Sequence, residues 1–194
     1  MKVLIDNGHG SNTAGKCSPD RSLREYTWAR EIASRLVAEL RKRGLDAERI
    51  VTEETDISLR ERCRRVNAHC GKLGAKNVIL ISIHINAAKS DGRWHDASGW
   101  SVWIAPNASQ KSKILAQTLY DEAAKRNLKG NRSVPSCRYW IGNFAIVRDT
   151  NCPAVLTENL FQDNKAEVEF LMSERGKKEI VNLHADAIQK YIRL

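Results

Sequence analysis

The amino-acid sequence predicts a single three-layer α/β/α domain with a mostly parallel central sheet of about six strands. Runs of aliphatic and β-branched residues alternate along the chain with segments of helical periodicity, which is the pattern of layered α/β folds. Residues 77–83 are mostly aliphatic, as expected of a central strand that is buried on both faces. The 194 residues suit one domain of ordinary size, and no repeat or linker separates a second one, so residues 1–194 are expected to form one unit.

The first half of the chain is expected to contain three strands and two helices. Apolar residues at four-residue spacing from Trp28 to Leu40, followed by Gly44, indicate a helix that ends at the glycine. Ser58 and Glu61 form a capping-box pattern that begins the second helix. In order, the predicted elements are a strand at 2–6, a helix at 25–43, a strand near 47–52, a helix at 58–73 and a strand at 77–83.

The second half continues the alternation but includes one long irregular segment. Residues 127–143 are rich in Gly, Asn, Ser and Pro and contain Tyr139 and Trp140, and connections of that length are commonly functional. The predicted elements are a strand at 99–104, a helix at 109–126, strands at 144–148 and 153–158, and a helix at 164–192 that is interrupted near 173–176.

The chain is basic, and its sequence has no sign of a membrane span. Lys and Arg number 32 against 23 Asp and Glu, a formal charge of +9, which favours anionic partners. No apolar stretch approaches the roughly 18 residues that cross a bilayer. The N-terminus lacks the apolar core of a secretory signal. The sequence is therefore compatible with a cytoplasmic protein, a phage-encoded protein or a form from which a signal has been trimmed. Five cysteines without C-x-x-C spacing argue against a disulfide scaffold or a zinc ribbon.

Nucleic acid is one class of anionic partner, and the motifs argue against it. A basic run in the second predicted helix, Arg60, Arg62, Arg64 and Arg65, is expected to form one solvated face. No helix-turn-helix, RNA-recognition or finger motif is present, and the aromatic residues lie in loops rather than among the basic residues. We therefore expect no nucleic-acid partner.

Polar side chains follow three predicted strands at the point where each strand ends. His9 follows the first strand, His84 follows the third, and Glu158 ends the strand at 153–158. The carboxyl ends of parallel strands meet at one edge of a sheet, where ligands bind. Gly8 and Gly10 allow the chain to turn sharply around His9. The sequence therefore predicts one site that contains His9, His84 and Glu158.

The residue types at this edge suit a metal ion. Imidazole is a common zinc ligand, and catalytic zinc usually has three protein ligands and one open position. Glu25 is a candidate for the third ligand, because the first predicted helix begins near the edge where the first strand ends. Residues 22–25 also fit a capping box in which Glu25 would bond the Ser22 amide. The sequence therefore allows Glu25 to be either a metal ligand or a helix cap.

These segments resemble the type 3 N-acetylmuramoyl-L-alanine amidases, zinc enzymes that cut the amide between the lactyl group of muramic acid and the L-alanine of the peptidoglycan stem peptide. Residues 5–10 (IDNGHG) are similar to the family's D-P-G-H-G opening, and residues 82–87 (SIHINA) to its S-I-H-x-N-A motif. Asn7 and Asn159 depart from the family pattern without removing an implied ligand. Further similarity lies in residues 59–62, 66–68, 99–103, 144–148 and 153–158.

The resemblance implies the roles of the site residues. Carried over by position, His9, Glu25 and His84 bind one Zn²⁺ per chain, and Glu158 is the catalytic carboxylate. A pairing of Glu158 with Arg148 is the structural alternative. The implied activity is zinc-dependent hydrolysis of peptidoglycan, as in an autolysin or endolysin. The alternatives are a zinc amidohydrolase that acts on another peptide or acylated amine, and a non-catalytic peptidoglycan-binding relative, which the presence of Glu158 disfavours.

The resemblance also implies partners and a place of action. Peptidoglycan is the expected partner, and anionic cell-wall polymers suit the positive charge. We expect residues 1–194 to be an amidase catalytic domain, monomeric, that acts on the bacterial cell wall in the periplasm or outside the cell. Asn86, Trp94 and Arg148 are candidate substrate contacts. Trp94 offers a large amphipathic face, and a plain surface loop is the alternative for its segment.

Overall fold

The computed structural model, which describes residues 1–194, contains six β-strands and six α-helices. The strands are β1 Lys2–Asn7, β2 Asp46–Arg49, β3 Val78–Asn86, β4 Ser101–Ile104, β5 Trp140–Ile141 and β6 Ala154–Phe161. The helices are α1 Glu25–Lys42, α2 Leu59–Leu73, α3 Gln110–Lys125, α4 Ala145–Arg148, α5 Lys165–Met172 and α6 Glu174–Ile192. None of the helices combines the length and the apolar composition needed to cross a bilayer.

The six strands form one sheet in the order β2-β1-β3-β6-β4-β5. Every pair of neighbours is parallel except β4 and β6, which are antiparallel. Strands β1, β3, β6 and β4 occupy the interior of the sheet. Helices α1 and α2, which follow β1 and β2, return the chain so that β1, β2 and β3 run in the same direction. The prediction of a mostly parallel sheet of about six strands is confirmed.

Helices cover both faces of the sheet, as expected of a three-layer fold. One face packs against α1, α3, α5 and α6, and the other against α2 and α4. Successive residues of β3 point to opposite faces, since Ile79 and Ile81 lie in the first core cluster and Val78 and Leu80 in the second. All residues from 78 to 83 are buried, which confirms that this segment is a central strand. The four strands that share one direction, β1, β2, β3 and β6, therefore end at a single edge, between the two helical layers.

The prediction of a strand at 144–148 is wrong, because Ala145–Arg148 forms the short helix α4. Arg148 N donates to Phe144 O at 3.0 Å, and Asp149 N donates to Ala145 O at 2.9 Å. A short aliphatic run has the same composition in a buried helical turn as in a strand, and this one buries Ile146 and Val147 against the second face of the sheet. The sixth strand is β5 instead, which pairs in parallel with β4.

The predicted interruption of the last helix is confirmed at Ser173, which separates α5 from α6. The Ser173 hydroxyl accepts a hydrogen bond from Gly176 N at 2.9 Å and so caps α6. A Cβ atom on Gly176 would lie 1.8 Å from Phe170 O. Only glycine therefore allows the two helices to meet this closely.

Candidate metal centre and active site

Three adjacent parallel strands end at one edge of the sheet and carry the predicted site residues. β1 pairs with β3, and β3 pairs with β6, where His84 lies opposite Glu158. Immediately after β1, Gly8 N donates to Ile83 O at 3.0 Å, so His9 follows at the same edge. The structure thus brings His9, His84 and Glu158 to one edge of the sheet, although β6 continues past Glu158 to Phe161.

His9, Glu25 and His84 face one another closely enough to share one ion. One potential ligand atom from each residue lies within 4.8 Å of the others. Glu25 Oε1 is 3.0 Å from His84 Nδ1 and 3.5 Å from His9 Nε2. The two imidazole rings are perpendicular, with their centroids 4.9 Å apart. Two imidazoles and a carboxylate therefore converge on one point.

Glu25 does not act as a helix cap. The residue that precedes α1, Arg24, makes no side-chain capping bond, and Glu25 Oε1 instead accepts from Ile85 N at 2.9 Å. Burial of Glu25 opposes its ionisation, but the hydrogen bond with His84 and the nearby imidazoles hold its pKa below the ordinary value. The alternative of a bond to the Ser22 amide is excluded, and the carboxylate is directed at the histidines.

The main chain at His9 is held in an uncommon conformation. His9 has a φ of 61°, in the left-handed region that L-residues rarely adopt. Its carbonyl oxygen accepts from Arg30 Nη1 at 3.0 Å and from Arg62 Nη2 at 3.2 Å. A Cβ on the preceding Gly8 would lie 2.2 Å from His84 Cε1. This segment therefore passes directly against the second imidazole, and two guanidinium groups fix its course.

Arg62 supports the segment that carries His9, a role that the sequence did not predict. We expected it on a solvated face, and that prediction is wrong for Arg62, which is 2% exposed. Its guanidinium pairs with Asp6, donates to Asn7 O at 2.8 Å and reaches Asp56 Oδ1 at 2.7 Å. Two features of the sequence are consistent with a buried Arg62. Asp6 lies near the end of a buried strand, where a carboxylate needs a cation, and Arg62 lies four residues before Val66 on the apolar stripe of α2.

The donor set at this centre fits a zinc ion. Two imidazoles and one carboxylate are a common ligand set of catalytic zinc. Burial lowers the pKa of His9 to about 4, so its ring is neutral at physiological pH, which is the form that binds metals. Glu25 Oε2 is buried and has no hydrogen-bond partner in the protein, and such an oxygen is costly unless a cation or donor meets it.

Glu158 lies beside this centre as a half-buried carboxylate. Burial raises its pKa to about 7, with a further contribution from the negative charge of Glu25. Its Oε2 atom is buried and unpartnered. Arg148 bonds Asp149 and Asn143 instead, so the alternative pairing of Glu158 with Arg148 is not formed. A carboxyl group with a pKa near neutrality can both accept and donate a proton.

Asn159, which departs from the family pattern, supports the second histidine. Its side chain is fully buried and donates from Nδ2 to His84 O at 2.9 Å. Trp100 Nε1 donates to Asn159 Oδ1 at 2.8 Å. The sequence does not reveal this contact with β3, because the contact depends on the pairing of two distant strands.

The three candidate substrate contacts lie in different places. Asn86 ends β3 and its carbonyl accepts from Gln162 N, at the same edge as the histidines. Trp94 is 37% exposed in the segment that follows Asn86. Arg148 lies in a surface cavity with Lys76 and Pro153, at the amino ends of β3 and β6. The structure therefore does not bring Arg148 to the site, because α4 turns it towards the opposite edge.

A cavity of about 460 Å³ opens beside the two histidines. Its walls come from the carboxyl ends of β1 and β3 and from the start of α2, where Leu59 is exposed. Ligand pockets commonly lie at this edge of open α/β sheets. A substrate therefore has room next to the imidazoles.

Comparison with known proteins gives a consistent result. A family model described as N-acetylmuramoyl-L-alanine amidase matches residues 3–190. The chain is 26% identical to the endolysin of Bacillus phage SPP1, over 99% of this chain and 66% of the endolysin. It is 25% identical to the N-acetylmuramoyl-L-alanine amidase CwlM of Bacillus licheniformis, over 100% of this chain and 70% of that protein. The chain thus spans about two thirds of the length of these curated relatives.

Solved structures show the same architecture. The crystal structure of N-acetylmuramoyl-L-alanine amidase from Clostridium difficile 630 superposes with a TM-score of 0.83 and 27% sequence identity, covering 100% of this chain and 97% of that chain. The fold is therefore shared over all of this chain and nearly all of that one.

Proposed function

The chain belongs to the N-acetylmuramoyl-L-alanine amidase family, and from this premise we propose that it is a zinc-dependent hydrolase of peptidoglycan. The bond it cleaves is the amide between an N-acetylmuramoyl residue and the L-alanine of a stem peptide. The observation that carries the proposal is the convergence of His9, Glu25 and His84 within 4.8 Å beside Glu158, which pairs in register with His84.

His9, Glu25 and His84 are the residues that would hold the metal. A zinc ion bound there supplies Lewis-acid chemistry at the scissile carbonyl. The buried Glu25 carboxylate brings negative charge that imidazole ligands lack. The Arg30 and Arg62 bonds to His9 O, at 3.0 and 3.2 Å, hold one imidazole, and the Asn159 bond to His84 O, at 2.9 Å, holds the strand that carries the other. The ligands are thus fixed before substrate binds, which lowers the cost of reorganisation.

Glu158 moves the proton that hydrolysis requires. As a carboxylate it accepts a proton from the attacking water, and as a carboxylic acid it returns that proton to the departing alanine nitrogen. An amide nitrogen is a poor leaving group until it is protonated. Burial raises the pKa of Glu158 above that of an ordinary glutamate, which favours the protonated form that donates to the leaving nitrogen.

The basic surface suits the setting of this reaction. A formal charge of +9 would attract the domain to anionic cell-wall polymers. We propose that residues 1–194 act as a monomeric catalytic domain on the cell wall, with Asn86 and Trp94 as candidate contacts to the substrate.

The bond that is cut tests the proposal directly. Purified peptidoglycan is incubated with the zinc-loaded protein, and newly exposed amino groups and reducing sugar ends are quantified separately. We expect new N-terminal alanine, no new reducing ends, loss of activity on chelation and recovery with zinc. New reducing ends would indicate a glycosidase, and other N-terminal residues would indicate a peptidase; either result contradicts the proposal. The Glu158→Gln variant serves as the matched inactive control.

A further inference from the structure

The guanidinium of Arg132 is held between aromatic rings without an acidic partner. Its central carbon lies 5.1 Å from the centroid of the Trp140 ring and 5.5 Å from that of Phe161. Its one side-chain hydrogen bond goes from Nη1 to Ser101 Oγ at 3.3 Å, and no carboxylate lies within 4.0 Å of it. Stacking of this kind fixes a guanidinium while leaving most of its N–H groups free.

Other arginines in this part of the chain are paired. Arg126 contacts Glu122 and Asp186, and Arg138 contacts Asp121. Within the long irregular loop at 127–143, the half-buried Arg132 thus differs from Arg138 in having no acidic partner. Because a half-buried guanidinium is most stable next to an anion, the unpaired state of Arg132 points to an anion supplied by a ligand.

Arg132 lies next to the proposed catalytic carboxylate. Its partner Ser101 pairs with Glu158 across the antiparallel strands β4 and β6. Burial raises the pKa of Glu158, and the positive charge of Arg132 acts in the opposite direction. A group bound by Arg132 would therefore lie close to the reacting atoms.

The backbone before Arg132 is built to hold it in place. A Cβ on Gly130 would lie 2.1 Å from Ser98 O, and a Cβ on Gly99 would lie 2.2 Å from Lys129 O. The two glycines have φ angles of 65° and 111°, so both the close approach and the conformation require glycine. The two segments are thereby locked together.

Asn131 adds hydrogen bonds to this junction. Its Oδ1 accepts from Ser98 N at 3.0 Å, and its Nδ2 donates to Asp96 O at 2.7 Å. The backbone that precedes Arg132 is therefore held in a fixed position, although the rest of the loop is irregular. An arginine positioned with this much local structure, and left unpaired, has the features of a recognition residue.

We propose that Arg132 binds a carboxylate of the stem peptide, on the leaving side of the scissile amide. This rests on the proposed function. N-acetylated glycan is uncharged, whereas the stem peptide carries free carboxyl groups, so the peptide is the part of the substrate that offers an anion. The guanidinium fork matches the two oxygens of a carboxylate.

Two synthetic substrates test this inference. Both are N-acetylmuramoyl peptides of one sequence; in one the peptide carboxyl groups are free, and in the other all are primary amides. We expect the wild-type protein to cleave both, with a KM roughly 10- to 100-fold lower for the free acid, the range of a charge-assisted hydrogen bond. Arg132→Gln should raise the KM for the free acid by the same factor, leave kcat nearly unchanged, and change the amidated substrate by less than about threefold.

Matched variants separate recognition from folding. Arg132→Lys keeps the charge but loses the fork, so its KM for the free acid should fall between those of the wild type and Arg132→Gln. Arg138→Gln removes a positive charge from the same loop and should leave the ratio of the two KM values unchanged.

The inference is overturned if the wild type does not discriminate between the substrates, which requires no variant. It is also overturned if Arg132→Gln lowers kcat equally on both, since that is the pattern of a structural or transition-state role. If the wild type cleaves neither substrate, the proposed function itself fails, which is a distinct result.

Discussion

His84 and Glu158 occupy opposite positions on the adjacent parallel strands β3 and β6. Side chains at matched positions of neighbouring strands lie on the same side of the sheet. The distance between the imidazole of His84 and the carboxyl group of Glu158 is thus set by the sheet itself, and rigid elements hold side chains more accurately than loops do.

Replacing Glu158 with glutamine should abolish most of the activity without disturbing the fold. Glutamine has nearly the same shape but cannot accept a proton from water and return it to the alanine nitrogen. We expect kcat to fall by about 10²- to 10⁴-fold, the usual contribution of a general acid–base group, measured as release of N-terminal alanine. A fall in kcat of less than tenfold would show that Glu158 is not the proton carrier.

Removing Arg62 should destabilise the protein and loosen the segment that carries His9. Arg62→Met leaves Asp6, which is 1% exposed, without its cation, and breaking a buried pair costs about 3–5 kcal/mol. Zinc affinity should fall as well, because His9 O loses one of its two donors. Urea unfolding and a zinc competition titration measure the two effects.

A second substitution separates the two effects of Arg62. Adding Asp6→Asn to Arg62→Met removes the buried charge and should recover much of the lost stability but not the zinc affinity. Arg64→Met, on the exposed face of α2, should change stability by less than about 0.5 kcal/mol. Full recovery of zinc affinity in the double variant would contradict a positioning role for Arg62.

Gly8→Ala should weaken metal binding through contact with His84. The added Cβ would lie 2.2 Å from Cε1 of the His84 ring, so the imidazole or the segment before His9 must move. Gly71→Ala is the matched control, because nothing lies within 4 Å of its added Cβ and alanine favours the helix by about 1 kcal/mol. We expect a large loss of zinc affinity in the first variant and none in the second; equal affinities would contradict the close approach seen at Gly8.

Acid should destabilise the protein partly through His184. This residue is fully buried, its Nδ1 lies 2.8 Å from Ile180 O and its Nε2 lies 3.1 Å from the Thr157 hydroxyl, an arrangement that suits a neutral ring. Burial lowers its pKa to about 4 from an ordinary 6.5. Between these values the unfolded chain binds more protons than the folded one, so the free energy of unfolding decreases as the pH falls from about 6.5 to about 4.

The contribution of His184 is at most about 3 kcal/mol and is measured by urea unfolding at a series of pH values. His184→Gln does not titrate, so its unfolding free energy should decrease less on acidification than that of the wild type. Parallel pH curves for the two proteins would show that His184 is not the group responsible.

Local patterns in the sequence were enough to predict most elements and the shared edge of the site. The run at 77–83 is mostly apolar on both faces, as expected of a central strand. Because parallel strands end at the same edge of a sheet, His9, His84 and Glu158 are then expected to lie at that edge. The segment at 144–148 was misassigned because a buried helical turn of three aliphatic residues has no periodicity that separates it from a strand.

The supporting contacts of the site depend on tertiary structure. Arg62 and Asp6 are 56 positions apart, and their pairing follows from how α2 packs on the sheet, which composition does not reveal. The same holds for Asn159 and the carbonyl of His84, which are 75 positions apart. For Glu25, the sequence allowed a cap or a ligand, and the packing of α1 against β3, which directs the carboxylate at His84, excludes the cap.

In the proposed mechanism, three residues hold the metal while Glu158 performs the proton transfer. The most direct test of this mechanism is the zinc content per chain after chelator treatment and reloading, compared among the wild type, Glu158→Gln and Glu25→Gln. We expect about one zinc per chain in the wild type and in Glu158→Gln, and a marked loss in Glu25→Gln. Zinc lost equally from both variants, or a wild type that binds none, would contradict it.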